Sequence, residues 1–323
     1  MTNPTRFGNT LIIANPSAQS GAARAVAERL QRFLSLYLHD SGSFTLTWTE
    51  RPRHATELAE QAAAFDTVIA LGGDGVIHET ANGLMHLNRA ERPALGILPV
   101  GSGNDFAQTL GIRDFSGENF SALLSCEKRS FDVGRIDYAR GIAPDLVCST
   151  EYFVETLSVG IDAAIGLGTY DLRKKTGLTG SALYTLSGLE QFGLRYRSFD
   201  MHVSFDDEPR MHIKPLIMAV QLGPTYGSGF KVCPNADPAD GLFDVCYAIG
   251  PIPRALALPI FLSAKHGGHV DKRPIRMRRC TRASYTFGSD DYPIQADGER
   301  ITASRMNVSI LPAELTVLVP HAE

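Results

Sequence analysis

The sequence has no apolar run long enough to cross a bilayer. Its most apolar stretch, roughly 255 to 264, is about half the ~20 residues a membrane-spanning helix needs, and Pro259 falls inside it. It has no CxxC pair. Its five cysteines (Cys126, Cys148, Cys233, Cys246 and Cys280) are scattered and odd in number, which argues against a disulfide framework or a zinc site and for reduced thiols in a cytoplasm. Positive charge is not in excess: the net charge is −4, where a generic polyanion binder would be basic, so no nucleic acid is expected as partner. Neither GxxxxGK(S/T) nor GxGxxG occurs, which removes two common phosphate-binding loops. The opening residues, MTNPTRFGNTLIIANP, show no basic segment leading into a long apolar core, so no signal peptide is expected.

What is present is an ordinary globular composition, 44% hydrophobic and 20% charged, over 323 residues, which suits two domains. Up to about residue 135, short apolar runs (10–14, 67–71, 95–98) alternate with stretches of helical spacing (22–37, 55–64, and after Gly75), and 44–48 alternates like a half-exposed strand. Strand, helix, strand, helix predicts an α/β domain on a parallel, Rossmann-like sheet over 1–135, with ligands at the carboxyl ends of its strands. Beyond that the period changes. Residues 151–160, 199–205, 212–222, 242–248, 275–287 and 304–319 read as strands, with one helix near Ser181 to Phe192. The expected second domain, 136–323, is β-rich and antiparallel, a β-sandwich, whose extreme C-terminus is free to pack back on the first. A cleft between two such domains is a natural ligand site.

Three small-residue loops follow three of the expected parallel strands. Gly72-Gly73-Asp74-Gly75 follows TVIAL and precedes a helix, whose N-terminus offers free N–H groups to phosphate. Pro99-Val100-Gly101-Ser102-Gly103-Asn104-Asp105 follows LGIL and repeats that design, with a helix starting near Asn104. Asn15 to Gly21, NPSAQSG, follows the first strand. Glycine lets backbone approach a bulky ligand, and loops at one sheet edge suit a nucleotide. Asp74 is readable either as a carboxylate that meets phosphate through Mg²⁺ or water, or as a simple helix cap. Several aspartates without a nucleophilic triad fit direct in-line phosphoryl transfer.

In this order, NPSAQSG, GGDGVIHETANGL and GILPVGSGNDFA resemble the diacylglycerol kinase catalytic family, which extends to sphingosine and ceramide kinases. The segment from Pro234 to Asp244, preceded by Gly227-Ser228-Gly229, and the late Asp297-Gly298-Glu299 look like its second-domain motifs. The resemblance implies an ATP- and Mg²⁺-dependent lipid kinase. Asn15, Thr49 and the loop Gly72, Gly73, Asp74, Gly75, Val76, Ile77 and His78 would hold ATP, with Gly101 and Ser102 at the phosphates. It implies Asp74, Asp105 and Asp132 around catalytic Mg²⁺ and Asp297 as general base. Asp237, Asp240 and the Leu242 carbonyl match a structural metal site, although the same turn is readable as metal-free and held by Asx hydrogen bonds. Val76, Leu222 and Ser228 depart from residues common in relatives (Thr, Asn and Gly).

The partner implied is a membrane lipid, with diacylglycerol the first choice, met by a cytoplasmic protein that touches the membrane only peripherally. Two basic stretches, Arg173-Lys174-Lys175 and Lys272-Arg273 with Arg276, Arg278, Arg279 and Arg282, either contact anionic headgroups or are solvated charge on strand edges. The 181–192 helix either lines a lipid-tail pocket or packs as core. His266 and His269 form HxxH, better read as a turn than as a zinc site. A sheet edge in the second domain would allow a homodimer. The competing readings are a kinase of another lipid (a sphingoid base, ceramide or phosphatidylglycerol), an NAD kinase relative, and an inactive nucleotide-binding sensor.

Overall fold

The computed structural model of the chain describes residues 7–37, 43–112, 120, 123, 126–141, 146–178, 180–194, 196–289 and 291–321. It forms two compact units, residues 1–131 with 313–323 and residues 132–312.

The first unit alternates β1 (Thr10–Ala14), α1 (Ala22–Tyr37), β2 (Phe44–Trp48), α2 (His54–Glu60), β3 (Thr67–Gly72), α3 (Asp74–His86), β4 (Ala94–Pro99) and the short α4 (Asp105–Thr109). The strand order is β2-β1-β3-β4, with all neighbours parallel. The apolar runs TLIIA, TVIALG and ALGILP are buried along their whole length, as strands covered on both faces must be. The end of the chain joins this sheet, Val317 pairing in parallel with Leu95. Arg92 ties it there: its guanidinium donates to the Glu314 carbonyl (2.7 Å), the Glu314 carboxylate (3.0 Å) and the Leu84 and Leu87 carbonyls.

The second unit takes in most of β5 (Cys126–Arg140), which begins in the first. It continues through β6 (Val147–Phe153), β7 (Thr156–Gly160), α5 (Ile161–Thr176), α6 (Gly180–Leu194), β8 (Met201–Phe205), β9 (Met211–Ile213), β10 (Pro215–Gln221), β11 (Phe243–Ile249), α7 (Arg254–Ser263), β12 (Ile275–Cys280), β13 (Arg282–Phe287), β14 (Ile294–Ala296), β15 (Glu299–Ile301) and the first part of β16 (Arg305–Pro320). One antiparallel sheet runs β12-β11-β10-β7-β14-β15. A second layer runs β16-β13-β8-β9, also antiparallel. The layers share one core, where Phe205 of one stacks on Tyr247 of the other with ring centroids 6.1 Å apart. Alternating inward residues of two sheets around a common core make a β-sandwich.

Three expected strands are each two. The run 151–160 breaks after Phe153, where the backbone amides of 154–156 turn to a side chain. The run 275–287 breaks at Thr281, whose N–H donates to the Asp206 carboxylate, and 212–222 breaks at Lys214. Helices α5 and α7 stand where no helix was expected. Gly166 and Gly168 dilute the helical signal of the first, and Pro259 sits inside the second.

Candidate functional site

The expected loops are assembled at the carboxyl edge of the first unit's sheet. The Asn15 N–H donates to Leu71 O (3.1 Å) and the Val100 N–H to Gly72 O (2.7 Å), so the chain leaving β1, β3 and β4 stays in sheet-like contact. Gln19 reaches from the first loop to the third, its Nε2 donating to Gly101 O at 3.0 Å. Gly73 and Gly101 meet backbone to backbone: a Cβ on Gly101 would lie 2.5 Å from Gly73 Cα, closer than any side chain tolerates. This contact requires glycine. Thr49 borders the edge from β2, its N–H donating to Ala14 O at 2.9 Å, and the next turn closes when the Glu50 N–H donates to His54 Nδ1.

Asp74 opens α3, yet its carboxylate is aimed at the neighbouring loop. Oδ2 accepts the Asn104 N–H and Oδ1 the Asp105 N–H, both at 2.8 Å. It therefore caps α4, a helix that starts thirty-one residues later, as well as standing in the first turn of its own. Asn104, in the left-handed region at φ 54°, turns the chain into this position and donates from Nδ2 to Gly101 O. The side chains of Asp74 and Asp105 flank Gly103: a Cβ there would lie 2.5 Å from Asp74 Oδ2 and 3.5 Å from Asp105 Oδ2. Two adjacent carboxylates with only oxygen donors are the chemistry of a hard divalent cation such as Mg²⁺.

The expected ATP loop 72–78 is shorter than the sequence suggested. Gly72 ends β3 and the helix begins at Asp74, so only Gly73 lies between them, and Gly75 is in the first turn. Val76, Ile77 and His78 are buried helical residues. Val76 packs against Gly72, and the His78 ring faces the Asn82 amide at 3.3 Å. Ser102 is half-buried in the third loop. Gln19 and Asn104 were not singled out as site residues; the only local signal was their place in small-residue loops. Nor was Glu79, which accepts the N–H groups of Arg53 and Ala55 and so caps α2 from α3.

In the second unit, Asp297 and Gly298 are the two-residue turn of the β14–β15 hairpin, both at positive φ (48° and 94°). Asp-Gly is a favoured pair for the tight turn that such φ values make. The Asp297 carboxylate accepts three backbone N–H groups, Val154 at Oδ2 (2.9 Å) and Glu155 and Thr156 at Oδ1 (3.0 and 2.9 Å). A carboxylate has about four acceptor positions, so its orientation is fixed and little of its capacity stays open. The buried Glu155, also not foreseen, packs its side chain on Gly223, and Leu222 is fully buried core. Ser228 takes φ 63°, a left-handed conformation that glycine would adopt more easily.

Asp132, also in this unit, is placed with the Asp-rich turn. Its carboxylate accepts the Gly241 N–H (2.7 Å) and its own N–H donates to Pro238 O (2.8 Å). Both Asx turns form there: Asp237 Oδ1 accepts the Ala239 N–H and Asp240 Oδ1 the Leu242 N–H, each at 3.0 Å. The other Asp240 oxygen is paired with the Arg279 guanidinium, which also reaches Asp244 at 3.5 Å. An arginine guanidinium thus stands beside Asp240 on the turn that carries Asp237, Asp240 and the Leu242 carbonyl. Among the described residues no cluster of three His, Cys, Asp or Glu side chains is disposed to hold a metal.

Three arginines of the longer basic stretch, Arg278, Arg279 and Arg282, are ion-paired. Arg278 forms a bidentate pair with Glu208 (2.7 and 2.8 Å), Arg282 pairs with Asp207 (2.5 Å), and Arg276 donates to the Arg273 and Ile275 carbonyls. The side chains of Arg173 and Lys174 lie outside the described residues; Lys175 is exposed. His266 is in a short 3-10 turn, and His269 is buried with Nε2 3.0 Å from Val232 O.

Comparison with known proteins agrees with this architecture. Residues 9–136 match the family model of the diacylglycerol kinase catalytic domain. Residues 155–319 match that of the YegS C-terminal NAD kinase beta sandwich-like domain. A Chromohalobacter salexigens protein named "Probable lipid kinase YegS-like" is 32% identical over 238 residues, 74% of this chain and 70% of that one. The Bacillus subtilis diacylglycerol kinase is 28% identical over 316 residues, 96% of this chain and 93% of that one. The crystal structure of a diacylglycerol kinase from Bacillus anthracis superposes with a TM-score of 0.69 at 19% identity, covering 98% of each chain, which is a likeness of fold. With both domain models matched in order and a relative above 30% identity, the chain belongs to the diacylglycerol kinase and YegS-like lipid kinase family.

Proposed function

We propose that the chain is a lipid kinase that moves the γ-phosphoryl group of ATP onto a lipid hydroxyl, with diacylglycerol as acceptor and phosphatidic acid as product. The observation that carries this reading is the loop cluster of the first unit. Gly73 and Gly101 meet without side chains at the end of a parallel sheet, beside the N-terminus of α3 and two clustered carboxylates. Phosphoryl transfer asks a protein chiefly for positioning and charge compensation. The glycine loops and the helix end supply backbone N–H groups for phosphate oxygens. Asp74 and Asp105 would hold Mg²⁺, directly or through water, which when bound offsets the charge of the transferring group. Asp74 simultaneously keeps the third loop in place through the Asn104 and Asp105 amides.

For the acceptor, family resemblance points to Asp297 as general base. Three amides hold its carboxylate in one orientation. A base held in this way can orient an attacking hydroxyl without first reorganising.

The test is incubation with γ-labelled ATP, Mg²⁺ and mixed micelles of diacylglycerol, monoacylglycerol, phosphatidylglycerol, ceramide or sphingosine, with NAD⁺ alongside. Label in diacylglycerol is the expected result. Label in NAD⁺ alone would favour the reading that the NAD kinase-like sandwich of residues 155–319 invites. ATP binding without label anywhere would favour a sensor.

A further inference from the structure

The turn that carries Asp297 is tied down from beneath by Gln295. This residue of β14 is 2% exposed and stands between the fully buried Ile294 and Ala296. Its Oε1 accepts the Gly298 N–H at 2.5 Å, and its Nε2 donates to Ser158 Oγ at 2.8 Å. An N–H can meet only an acceptor, so the Gly298 bond fixes which way the amide faces. Ser158 is fully buried and lies opposite Gln295 on β7. Its hydroxyl bonds the Asp162 carboxyl, which also accepts the Tyr226 O–H at 2.9 Å. A continuous run of buried polar side chains thus joins the turn to the start of α5. Packing alone would be met by an apolar side chain of similar size. A buried amide is costly unless its ends are hydrogen-bonded, and here both are.

The place of this tie gives it consequence. In a two-residue hairpin the ladder closes between the flanking residues, here Ala296 and Glu299, and the N–H of the second turn residue lies outside it. The ladder therefore leaves the peptide joining Asp297 to Gly298 able to rock, and the Cα–Cβ bond of Asp297 with it. In this chain the peptides on both sides of Asp297 are held. Its own N–H donates to Thr156 O at 2.8 Å, and the next N–H donates to Gln295. Asp297 is also a non-glycine residue at φ 48°, a conformation that persists only where its surroundings support it.

Resting on the lipid kinase reading with Asp297 as general base, we propose that Gln295 is a positioning residue for phosphoryl transfer: by holding the Gly298 N–H, with Ser158 as its anchor, it sets where the Asp297 carboxylate stands relative to the acceptor hydroxyl. The amides of Val154, Glu155 and Thr156 orient that carboxylate, and the turn delivers it to them. Gln295 acts through the turn.

The test uses the full chain, with γ-labelled ATP, Mg²⁺ and diacylglycerol micelles for turnover, and hydrogen exchange at labelled glycine amides for the tie itself. The Gly298 amide should be protected in the unaltered chain, although turn amides ordinarily exchange fast. Gln295→Leu should lose that protection and lower kcat about ten- to a hundredfold, as misplacement of a reacting group does, with KM and Kd for ATP unchanged. Gln295→Glu, whose neutral carboxyl both accepts from Gly298 and donates to Ser158, should restore most of both at pH 6. Val220→Ala, which opens a cavity in β10 of the same sheet, should lower the melting temperature and leave kcat of the folded protein unchanged; a merely structural Gln295 would behave in the same way. A fast-exchanging Gly298 amide in the unaltered chain, kcat unmoved by Gln295→Leu, or a Gln295→Glu variant no better than Gln295→Leu would overturn the proposal and leave the kinase reading intact. A protected Gly298 amide in a chain that phosphorylates no lipid would overturn the kinase reading, and the positioning role with it.

Discussion

At the scale of single residues, the carboxylates of this chain are distinguished by their partners. Asp297 is held by three amides, so its replacement tests two roles at once. Asp297→Asn keeps the turn but loses charge on a hydrogen-bonded acceptor, a loss of roughly 1.5–3 kcal/mol. If Asp297 is also the base, turnover should fall by about 10²–10⁴ while ATP binding survives. Paired measurement of melting temperature, ATP affinity and kcat separates the roles: a lowered melting temperature with unchanged kcat would leave Asp297 purely structural. Asp162 gives a pH signature. Folded, it keeps its proton up to about pH 7, against an ordinary value of 3.8. Between these values the native state binds more protons than the unfolded chain. Its contribution is therefore full below about pH 4 and lost as pH rises through about 7, a swing on the order of 4 kcal/mol. His269, pushed down by burial, acts in the opposite direction at the acid end and is untouched by changes at Asp162. Asp162→Asn should match the unaltered chain near pH 4 and exceed it in stability at pH 8, as denaturant titrations at both pH values would read. Little of this was legible in the sequence. The aspartates themselves were, because Asp beside Gly is visible in a line of letters. Their partners were not: Asp297 takes its amides from residues more than 140 positions away, and local pattern carries no record of such pairings.

At the scale of elements, the parallel half of the fold was readable and the antiparallel half was less so, for a physical reason. Strands buried on both faces are continuous apolar runs, and TLIIA, TVIALG and ALGILP stand out between polar loops. The strands of the sandwich are broken by tertiary demands, as at Val154 and Thr281, where a distant carboxylate takes backbone amides out of the ladder. The start of α3 was misplaced because glycines signal loop, whereas Gly75 sits inside the first helical turn. The loop cluster is the element-scale device most open to test. Gly101→Ala would put a Cβ 2.5 Å from Gly73 Cα. Overpacking of this kind costs about 1–3 kcal/mol, and here it separates the two loops proposed to hold phosphate. ATP affinity should fall at least tenfold while the melting of the sandwich is unaffected. Calorimetric ATP titration of the variant checks this, and an unchanged affinity would remove Gly101 from the proposed nucleotide site.

At the scale of the whole molecule, the first unit is built from both ends of the chain, residues 1–131 and 313–323. Its C-terminal piece pairs with β4 at Val317, and Arg92 adds a side-chain tie to Glu314. The Arg92 side chain is 6% exposed and bridges the end of α3 to Glu314. Removing one member of a part-buried charged pair leaves the other and several carbonyls unsatisfied, which costs about 3–5 kcal/mol when burial is complete. Arg92→Met keeps the apolar stem, so the upper end of that range is not expected. A unit of this size shifts its melting temperature by about 2–4 °C per kcal/mol. Two-unit chains need not melt in one step, so the readout must be resolved along the sequence. Hydrogen exchange followed by peptide mass spectrometry should show faster exchange in β4 and residues 313–320 of the variant, with β10 and β11 unchanged. ATP binding should be lost at a lower temperature than in the unaltered chain. Uniform acceleration across both units would mean that Arg92 holds the molecule together as one cooperative body; no acceleration in 313–320 would mean that β-pairing at Val317 alone keeps the chain end in the first sheet.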